Sequence, residues 1–236
     1  MINLNTFLFY FLCFFIYSTI GWIIETTQVS IRNKKFINRG FLIGSYCPIY
    51  GYGAILMTLY LTQYKDNFLT VFILGTVVCS ILEYISSYIM EILFKTRWWD
   101  YSKNKFNLNG RICGKNSCLF GLGGIIVIYL TQPFLSKILT KIPQNLFRAI
   151  TVFLLIIYII DTIISLNIIT KFKNTLTNID SKKDSTIEFS KLVRKTLKNR
   201  HQILQARLLD AFPSINFDKF IEFKKDIKDK LKKDKD

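Results

Sequence analysis

Long apolar runs, separated by short polar segments, occupy the first 170 residues of the chain. An apolar run of about 18 residues or more lets a helix cross the hydrocarbon core of a membrane with its backbone amides bonded internally. The fourth run is short and is compatible with a tilted or partly re-entrant segment. The predicted fold class is all-α, a polytopic transmembrane helical bundle of about five spans. These spans lie near residues 4–24, 41–64, 68–94, 117–131 and 149–169.

From residue 171 to residue 236 the pattern becomes that of a solvated helix, with apolar positions at helical spacing among many lysines. A first amphipathic stretch runs from Leu192 to Leu208, and a break at Pro213 precedes a second one that reaches Leu231. These residues predict a basic, helical cytoplasmic tail. A segment of this size buries little surface on its own, so we expect it to dock on the inner loops, on a partner or on anionic lipid headgroups.

The charge distribution predicts the orientation of the spans. The chain has 32 Lys and Arg against 16 Asp and Glu, a net charge of +16. Lys and Arg in short loops are retained on the cytoplasmic side of a membrane. With five spans, 28 of the 32 basic residues fall on one side, which places the N-terminus outside and the C-terminus in the cytoplasm. We therefore expect a multi-pass protein of the plasma membrane, with the lipid bilayer and not nucleic acid as the partner of its basic charge.

The sequence offers few of the residues that catalysis or metal binding requires. No glycine-rich phosphate loop followed by Lys and Ser or Thr is present, so we expect that the chain does not hydrolyse ATP itself. The single histidine, His201, cannot complete a Ser-His-Asp set and has too few neighbouring ligands for a zinc site. We assign no catalytic residue, no metal site and no cofactor.

Acidic residues inside the predicted spans are candidates for function, since a carboxylate near the membrane centre costs about 2.5 to 3.5 kcal/mol or more. Glu83 lies near the middle of the third span and is predicted to face protein or water. Glu91 lies nearer the cytoplasmic end, and Asp161 in the last span is the second deeply placed acid. Steps of three or four residues put the polar positions of the third span on one helical face. They are Thr76, Ser80, Glu83, Ser87 and Glu91.

The second predicted span combines several glycines with a proline. Its residues of this kind are Gly40, Gly44, Pro48, Gly51 and Gly53. Glycines let neighbouring helices approach closely, and a proline kinks or ends a helix. The span is therefore either a closely packed regular helix or a broken helix that lines a cavity.

The predicted topology gathers a further group of residues at the cytoplasmic boundary. An interfacial aromatic belt explains the tryptophans there, and the charge rule explains the arginines. Neither explains why Glu25 and Asp100 occur among basic residues. Either acid could pair with Arg39 or Arg111 to brace two loops, or the group could hold a lipid phosphate or a polar substrate. The candidate residues are Glu25, Asn38, Arg39, Gly40, Cys47, Pro48, Tyr50, Gly51, Trp98, Trp99, Asp100, Tyr101, Asn107, Asn109, Gly110 and Arg111.

Five short motifs carry a family resemblance. They are Gly21-Trp22 with Glu25, Asn38-Arg39-Gly40-Phe41, Cys47-Pro48-Ile49-Tyr50-Gly51, Trp98-Trp99-Asp100-Tyr101 and Asn107-Leu108-Asn109-Gly110-Arg111-Ile112-Cys113. Together they resemble the CmpB-like family of ABC-transporter permeases. The resemblance covers about Tyr17 to Gly124, with a weaker echo from Arg207 to Pro213. The chain departs from the family pattern where proline, leucine and tryptophan are usual, at Ser45, Gly114 and Phe120.

The resemblance implies a membrane permease subunit of unspecified substrate, served by a separate ATPase subunit. Two alternatives from other functional classes stay open. One is a membrane enzyme that acts on a lipid or lipid-linked substrate at the cytoplasmic face, for which paired acids such as Glu25 and Asp100 would be required. The other is a non-catalytic membrane scaffold, in which the cluster locks the loops together.

Overall fold

The computed structural model describes residues 4–178, 186–199, 203–212, 215, 217, 220 and 221, and most of these are helical. The helices are α1 (Leu4–Asn33), α2 (Pro48–Leu61), α3 (Phe68–Phe94), α4 (Gly114–Ile126), α5 (Gln132–Leu139), α6 (Gln144–Asn178), α7 (Thr186–Asn199) and α8 (Ile203–Ala211). A 3-10 turn (Thr62–Tyr64) follows α2, and a π turn (Val127–Thr131) joins α4 to α5. A two-stranded antiparallel hairpin, β1 (Asn107–Leu108) and β2 (Ile112–Cys113), lies between α3 and α4.

Four helical stretches of the described residues are long and apolar enough to cross a membrane. They are Leu4–Asn33, Phe68–Phe94, Gly114–Leu139 and Gln144–Leu176. The predicted all-α membrane bundle is therefore confirmed. The short fourth span, predicted at 117–131, lies within the longer stretch Gly114–Leu139. The reason is that Gln132 ends the apolar run without ending the helix, which continues from the π turn into α5.

The second predicted span, 41–64, differs most from its prediction, because residues 34–47 form an irregular segment instead of a helix. Gly40 in this irregular segment has φ +90°, a conformation that other residues rarely adopt. Pro48 begins α2, where its missing N–H costs nothing, and Cys47 before it is extended. The span is therefore not one regular helix from residue 41 to residue 64, although α2 packs closely on α1. At 14 residues, α2 is shorter than the roughly 20 residues of a full crossing.

Helices α1 and α2 approach each other closely at Gly51. A Cβ atom on Gly51 would lie 2.3 Å from Ser18 Oγ and 2.5 Å from the carbonyl oxygen of Phe14. Both contacts are shorter than any Cβ atom tolerates, and the second involves backbone that cannot rotate away. The glycine is therefore required by the packing of α1 on α2.

We expect Gly51→Ala to lower the stability of the protein by about 1 to 3 kcal/mol, the usual cost of inserting a methyl group into a filled space. Thermal unfolding in a mild detergent measures the effect. Gly123→Ala is the matched control, since a Cβ atom at Gly123 has nothing within 4 Å. The control should unfold at the same temperature as the parent or higher, because alanine favours helices. Equal melting temperatures for the two variants would contradict the close approach.

The tail packs with the ends of α3 and α6 in one apolar core, which encloses Trp98. Trp98 is 2% exposed, and its ring centroid lies 4.9 Å from that of Phe212 and 6.3 Å from that of Phe172. Trp98 is thus a core residue and not part of an interfacial belt. Phe217 and Phe220, from the second predicted amphipathic stretch, are fully buried in the same core. Most of that stretch, together with the predicted break that precedes it, lies outside the described residues, as does the single histidine.

Candidate functional site

Asp161 of α6 holds the amide groups of the irregular segment. Its carboxylate accepts hydrogen bonds from the backbone N–H groups of Ile43 (3.1 Å) and Gly44 (2.8 Å) and from the hydroxyl of Tyr46. Ser165, one turn further along α6, donates to the same carboxylate at 2.9 Å. A break in a helix leaves backbone groups that need other partners. Asp161, 9% exposed, supplies those partners to the broken second span.

Arg207 of α8 binds the carbonyl groups of the same irregular segment. Its guanidinium donates to the carbonyl oxygens of Gly40 (3.3 Å) and Phe41 (3.1 Å). Burial lowers the pKa of Arg207 below its ordinary value. The guanidinium carbon of Arg39 also lies 5.3 Å from the ring centroid of Phe212, at the end of α8. The tail therefore contacts the loop between α1 and α2 through Arg207 and Phe212.

Glu25 of α1 and Arg39 of the irregular segment form an ion pair. Arg39 contacts Glu25 Oε2 through Nε at 2.8 Å and through Nη2 at 2.7 Å. Tyr50, in the first turn of α2, donates its hydroxyl proton to Glu25 Oε1 at 2.8 Å. The acid thus joins α1, the irregular segment and α2, and the pair is one of those that the sequence allows.

Arg111 pairs with Glu91 of α3, and not with either acid considered from the sequence. Glu91 Oε2 lies 2.8 Å from Arg111 Nη1 and 3.0 Å from Arg97 Nε. The side chains of Glu91 and Arg111 are only 3% and 7% exposed. The guanidinium of Arg111 also stacks on the rings of Tyr84 and Tyr88, at 5.5 and 5.2 Å from their centroids.

Asp100 and Arg111, one of the pairings that the sequence allows, therefore have other partners in the structure. Asp100 Oδ1 lies 3.7 Å from Arg97 Nη1 and accepts hydrogen bonds from the N–H and the hydroxyl of Ser102. The physical reason is that the chain folds back along α3 after its end, which brings Arg111 beside Glu91 and leaves Asp100 in the turn. We call Glu91, Arg97, Asp100 and Arg111 the arginine network.

Glu83 lies inside the protein, with 8% of its surface exposed. Its Oε1 accepts a hydrogen bond from the hydroxyl of Tyr101 at 3.2 Å, whereas Oε2 has no hydrogen-bond partner among the described residues. Burial, and then the charges of Glu83 and Glu25, raise the pKa of Tyr101 above its ordinary value. Glu83 thus contacts Tyr101 directly, whereas Glu25 contacts Tyr50. We call Glu25, Tyr50, Glu83 and Tyr101 the paired-acid site.

The hairpin residues shape the turn that carries Arg111. Asn109 and Gly110 adopt φ angles of 53° and 68°, and Asn107 Oδ1 accepts a hydrogen bond from the N–H of Gly110 at 3.1 Å. Trp99 Nε1 donates to the carbonyl oxygen of Arg111 at 3.1 Å. These candidates therefore position the arginine network.

The candidates of the irregular segment stabilise its path. Asn38 accepts a hydrogen bond from Trp22 Nε1 at 2.7 Å and donates from Nδ2 to the carbonyl oxygen of Ile43 at 3.1 Å. The N–H of Cys47 donates to the carbonyl oxygen of Ser18 at 2.9 Å, and the Cys47 side chain is buried. Pro48 and Gly51, described above, start α2 and let it approach α1. These residues therefore hold the irregular segment and the start of α2, which carry Arg39 and Tyr50 to Glu25.

Sequence reasoning missed a polar cluster around Gln132. Gln132 Oε1 accepts a hydrogen bond from the hydroxyl of Tyr17 at 3.0 Å and lies 3.5 Å from Thr58 Oγ1. Gln132 is 9% exposed and follows the π turn directly. Such turns occur frequently at functional sites. The sequence signal that could have revealed this cluster was a single amide side chain, Gln132, directly after the short apolar run 117–131.

The candidate residues thus fall into two groups and not one. Glu83 and Glu91 are eight positions apart on α3, about 12 Å along the helix. Each carboxylate of the paired-acid site accepts a hydrogen bond from one tyrosine hydroxyl, while the arginine network consists of mutually neutralising charges. No group of three or more His, Cys, Asp or Glu among the described residues is arranged to hold a metal ion.

Comparison with known proteins gives one result. The model of a family described as "Putative ABC-transporter type IV" matches residues 12–166, which cover all five motifs and the first 23 positions of α6. No curated protein and no solved structure matches the chain.

Proposed function

Because the chain belongs to the family described as "Putative ABC-transporter type IV", we propose that it is the membrane-embedded permease subunit of a transporter driven by a separate ATPase. The absence of a nucleotide-binding loop from the sequence requires that ATP be hydrolysed by another subunit. The chain's own contribution is then to bind the solute and provide its path.

The observation that carries this proposal is the buried carboxyl group of Glu83. An ionisable side chain in a membrane helix is costly and typically marks a solute or ion pathway. Glu83 has one oxygen bonded to Tyr101 and the other without a hydrogen-bond partner among the described residues. We propose that this second oxygen takes part in binding a polar solute that carries a positive charge or hydrogen-bond donors.

The broken second span supports the same proposal. Many membrane transporters bind their solutes where a spanning helix is interrupted. Here the interruption lies directly before Tyr50, whose hydroxyl contacts Glu25. Arg207 also connects α8 to the interrupted segment. A movement of the tail would thus reach the paired-acid site through the irregular segment.

Affinity purification of the full-length chain from its native cells, in a mild detergent, tests the proposal. We expect a protein with a nucleotide-binding loop to accompany the chain in a constant ratio. Arg207→Gln should weaken that association if the tail transmits the movement, whereas Lys137→Gln, a basic residue next to the end of α5, should not. A chain that purifies without any ATPase would contradict the proposal.

The two alternatives receive less support from the geometry. The enzyme requires Glu25 and Asp100 as a pair, but Glu25 contacts Arg39 and Tyr50, while Asp100 contacts Arg97 and Ser102. If the protein is a scaffold, variants of Glu83 are expected to lower its abundance in the membrane before they lower any activity. Abundance of Glu83→Gln in the membrane therefore separates a scaffold from a permease.

We also propose that the N-terminus lies outside the cell and the tail in the cytoplasm, in the plasma membrane. The support is the excess of Lys and Arg on one side, and the proposal requires that the irregular segment and the 14-residue α2 together cross the membrane as a fifth span beside the four long ones. A membrane-impermeant thiol reagent applied to intact cells should label Lys65→Cys but not Lys191→Cys. Both positions are exposed, and the unsubstituted protein gives the background from Cys118. The reverse labelling pattern would overturn the orientation.

A further inference from the structure

A groove of about 380 Å³ lies on the surface of α3 beside the hairpin. Val77, Ile81 and Ile85 of α3 form one wall, and Leu108 and Ile112 of the hairpin close one end. The three α3 side chains are about half exposed. Since α3 is one of the membrane-spanning helices, these side chains face the acyl chains of the bilayer. From Val77 to Ile85 the wall extends about 12 Å along the helix.

The polar side chains along this groove are satisfied within the protein. Ser80 Oγ donates to Ser117 Oγ at 2.8 Å, and Tyr84 accepts a hydrogen bond from Asn109 at 3.0 Å. Polar groups bonded in this way leave an apolar lining for an occupant. The groove therefore suits a hydrocarbon chain better than water or a polar solute.

Three exposed lysines flank the hairpin in the sequence, two before β1 and one in the first turn of α4. They are Lys103, Lys105 and Lys115, and none of them pairs with a described acid. The N–H of Gly114 donates to the carbonyl oxygen of Phe106 at 3.0 Å, which brings Lys105 near Lys115. Phe106 is 90% exposed. An exposed aromatic ring among unpaired lysines is typical of a surface in contact with lipid headgroups.

We propose that this groove and its basic rim bind one anionic phospholipid. Its acyl chain lies along Val77 and Ile81, its phosphate contacts Lys103, Lys105 and Lys115, and Phe106 enters the headgroup region. The charges fit this occupant, because the acids nearest the hairpin neutralise arginines and leave the lysines for the lipid. The proposal is independent of transport, since it concerns the outer face of α3 and not the paired-acid site.

Native mass spectrometry of the purified full-length chain, titrated with phosphatidylglycerol or phosphatidylcholine of the same acyl chains, tests the headgroup contact. We expect one phosphatidylglycerol to bind at least about tenfold more tightly than phosphatidylcholine. The triple variant Lys103→Gln, Lys105→Gln, Lys115→Gln should lose that preference. The control Lys65→Gln, Lys137→Gln, Lys141→Gln removes the same charge elsewhere and should keep it. A triple variant that still prefers phosphatidylglycerol tenfold would overturn the proposal.

A second variant tests the acyl-chain position without changing charge. Ile81→Trp fills the groove from its exposed wall and should weaken binding of both lipids about fivefold, because the acyl chain loses its contact surface. Ile163→Trp, at a similarly exposed position of α6, should leave both affinities unchanged. Unchanged binding in Ile81→Trp would overturn the assignment of the groove.

Discussion

Replacement of Glu91 by Gln is expected to lower the free energy of unfolding by about 3 to 5 kcal/mol, because it leaves a buried guanidinium without its carboxylate. Arg111, with its side chain 7% exposed, depends on that carboxylate at 2.8 Å. Arg111→Gln should cost less, since Arg97 remains 3.0 Å from Glu91 and still compensates the acid. Unfolding in a mild detergent, followed by tryptophan fluorescence, measures both changes.

The double variant Glu91→Gln with Arg111→Gln should be less damaged than the two single variants predict together, since neither charge is then left alone. Asp210→Asn provides a control on exposed ion pairs, since Asp210 lies 2.8 Å from Arg194 and 3.5 Å from Lys35. The side chains of Asp210, Arg194 and Lys35 are 37%, 53% and 57% exposed. The effect of this control should stay below about 1 kcal/mol. Strict additivity of the two buried replacements would show that Glu91 and Arg111 are not coupled.

Asp161→Ala is expected to produce the second large effect, a loss of about 3 to 5 kcal/mol. The variant leaves the Gly44 N–H and the buried Tyr46 hydroxyl without their acceptor, and it leaves the Ile43 N–H with Ser165 Oγ alone, at 3.2 Å. Each group left unpaired costs about 1 to 3 kcal/mol. Hydrogen exchange followed by mass spectrometry should show faster exchange in residues 40–47, while α4 exchanges as in the parent.

Ser165→Ala is the matched control for Asp161. It removes one donor to the same carboxylate and one acceptor of the Ile43 N–H, at 3.2 Å, but it keeps the two backbone hydrogen bonds to Asp161. The free energy of unfolding should fall by only about 1 kcal/mol, with protection of residues 40–47 retained. If Asp161→Ala left the exchange of these residues unchanged, Asp161 would not be what holds the irregular segment.

The membrane bundle could be predicted from the sequence because long apolar runs have few alternatives to spanning helices. The polar stripe of α3 followed in the same way from helical periodicity, and Glu83 lies inside the protein as that periodicity predicts. The Glu25–Arg39 ion pair was also within reach, since the two residues are only 14 positions apart. These features depend on local pattern.

The features that sequence reasoning could not decide depend on distant partners. Whether the second span is broken was left open, because the acid that stabilises the break, Asp161, is 117 positions from Gly44. Glu91 was not among the partners considered for Arg111, because the pattern did not reveal that the chain folds back along α3. Trp98 looked like a membrane-interface residue, since the aromatic residues that bury it come from the tail.

ATP hydrolysis by the purified complex of this chain and its ATPase, reconstituted in vesicles of native lipids, tests the central claim most directly. The permease account places the solute at Glu83, so Glu83→Gln should lower the rate about tenfold, or about 1.4 kcal/mol. Abundance and melting temperature should remain those of the parent, and Gly123→Ala should hydrolyse ATP at the parental rate. A Glu83→Gln complex that is as stable as the parent and hydrolyses ATP equally fast would contradict the account.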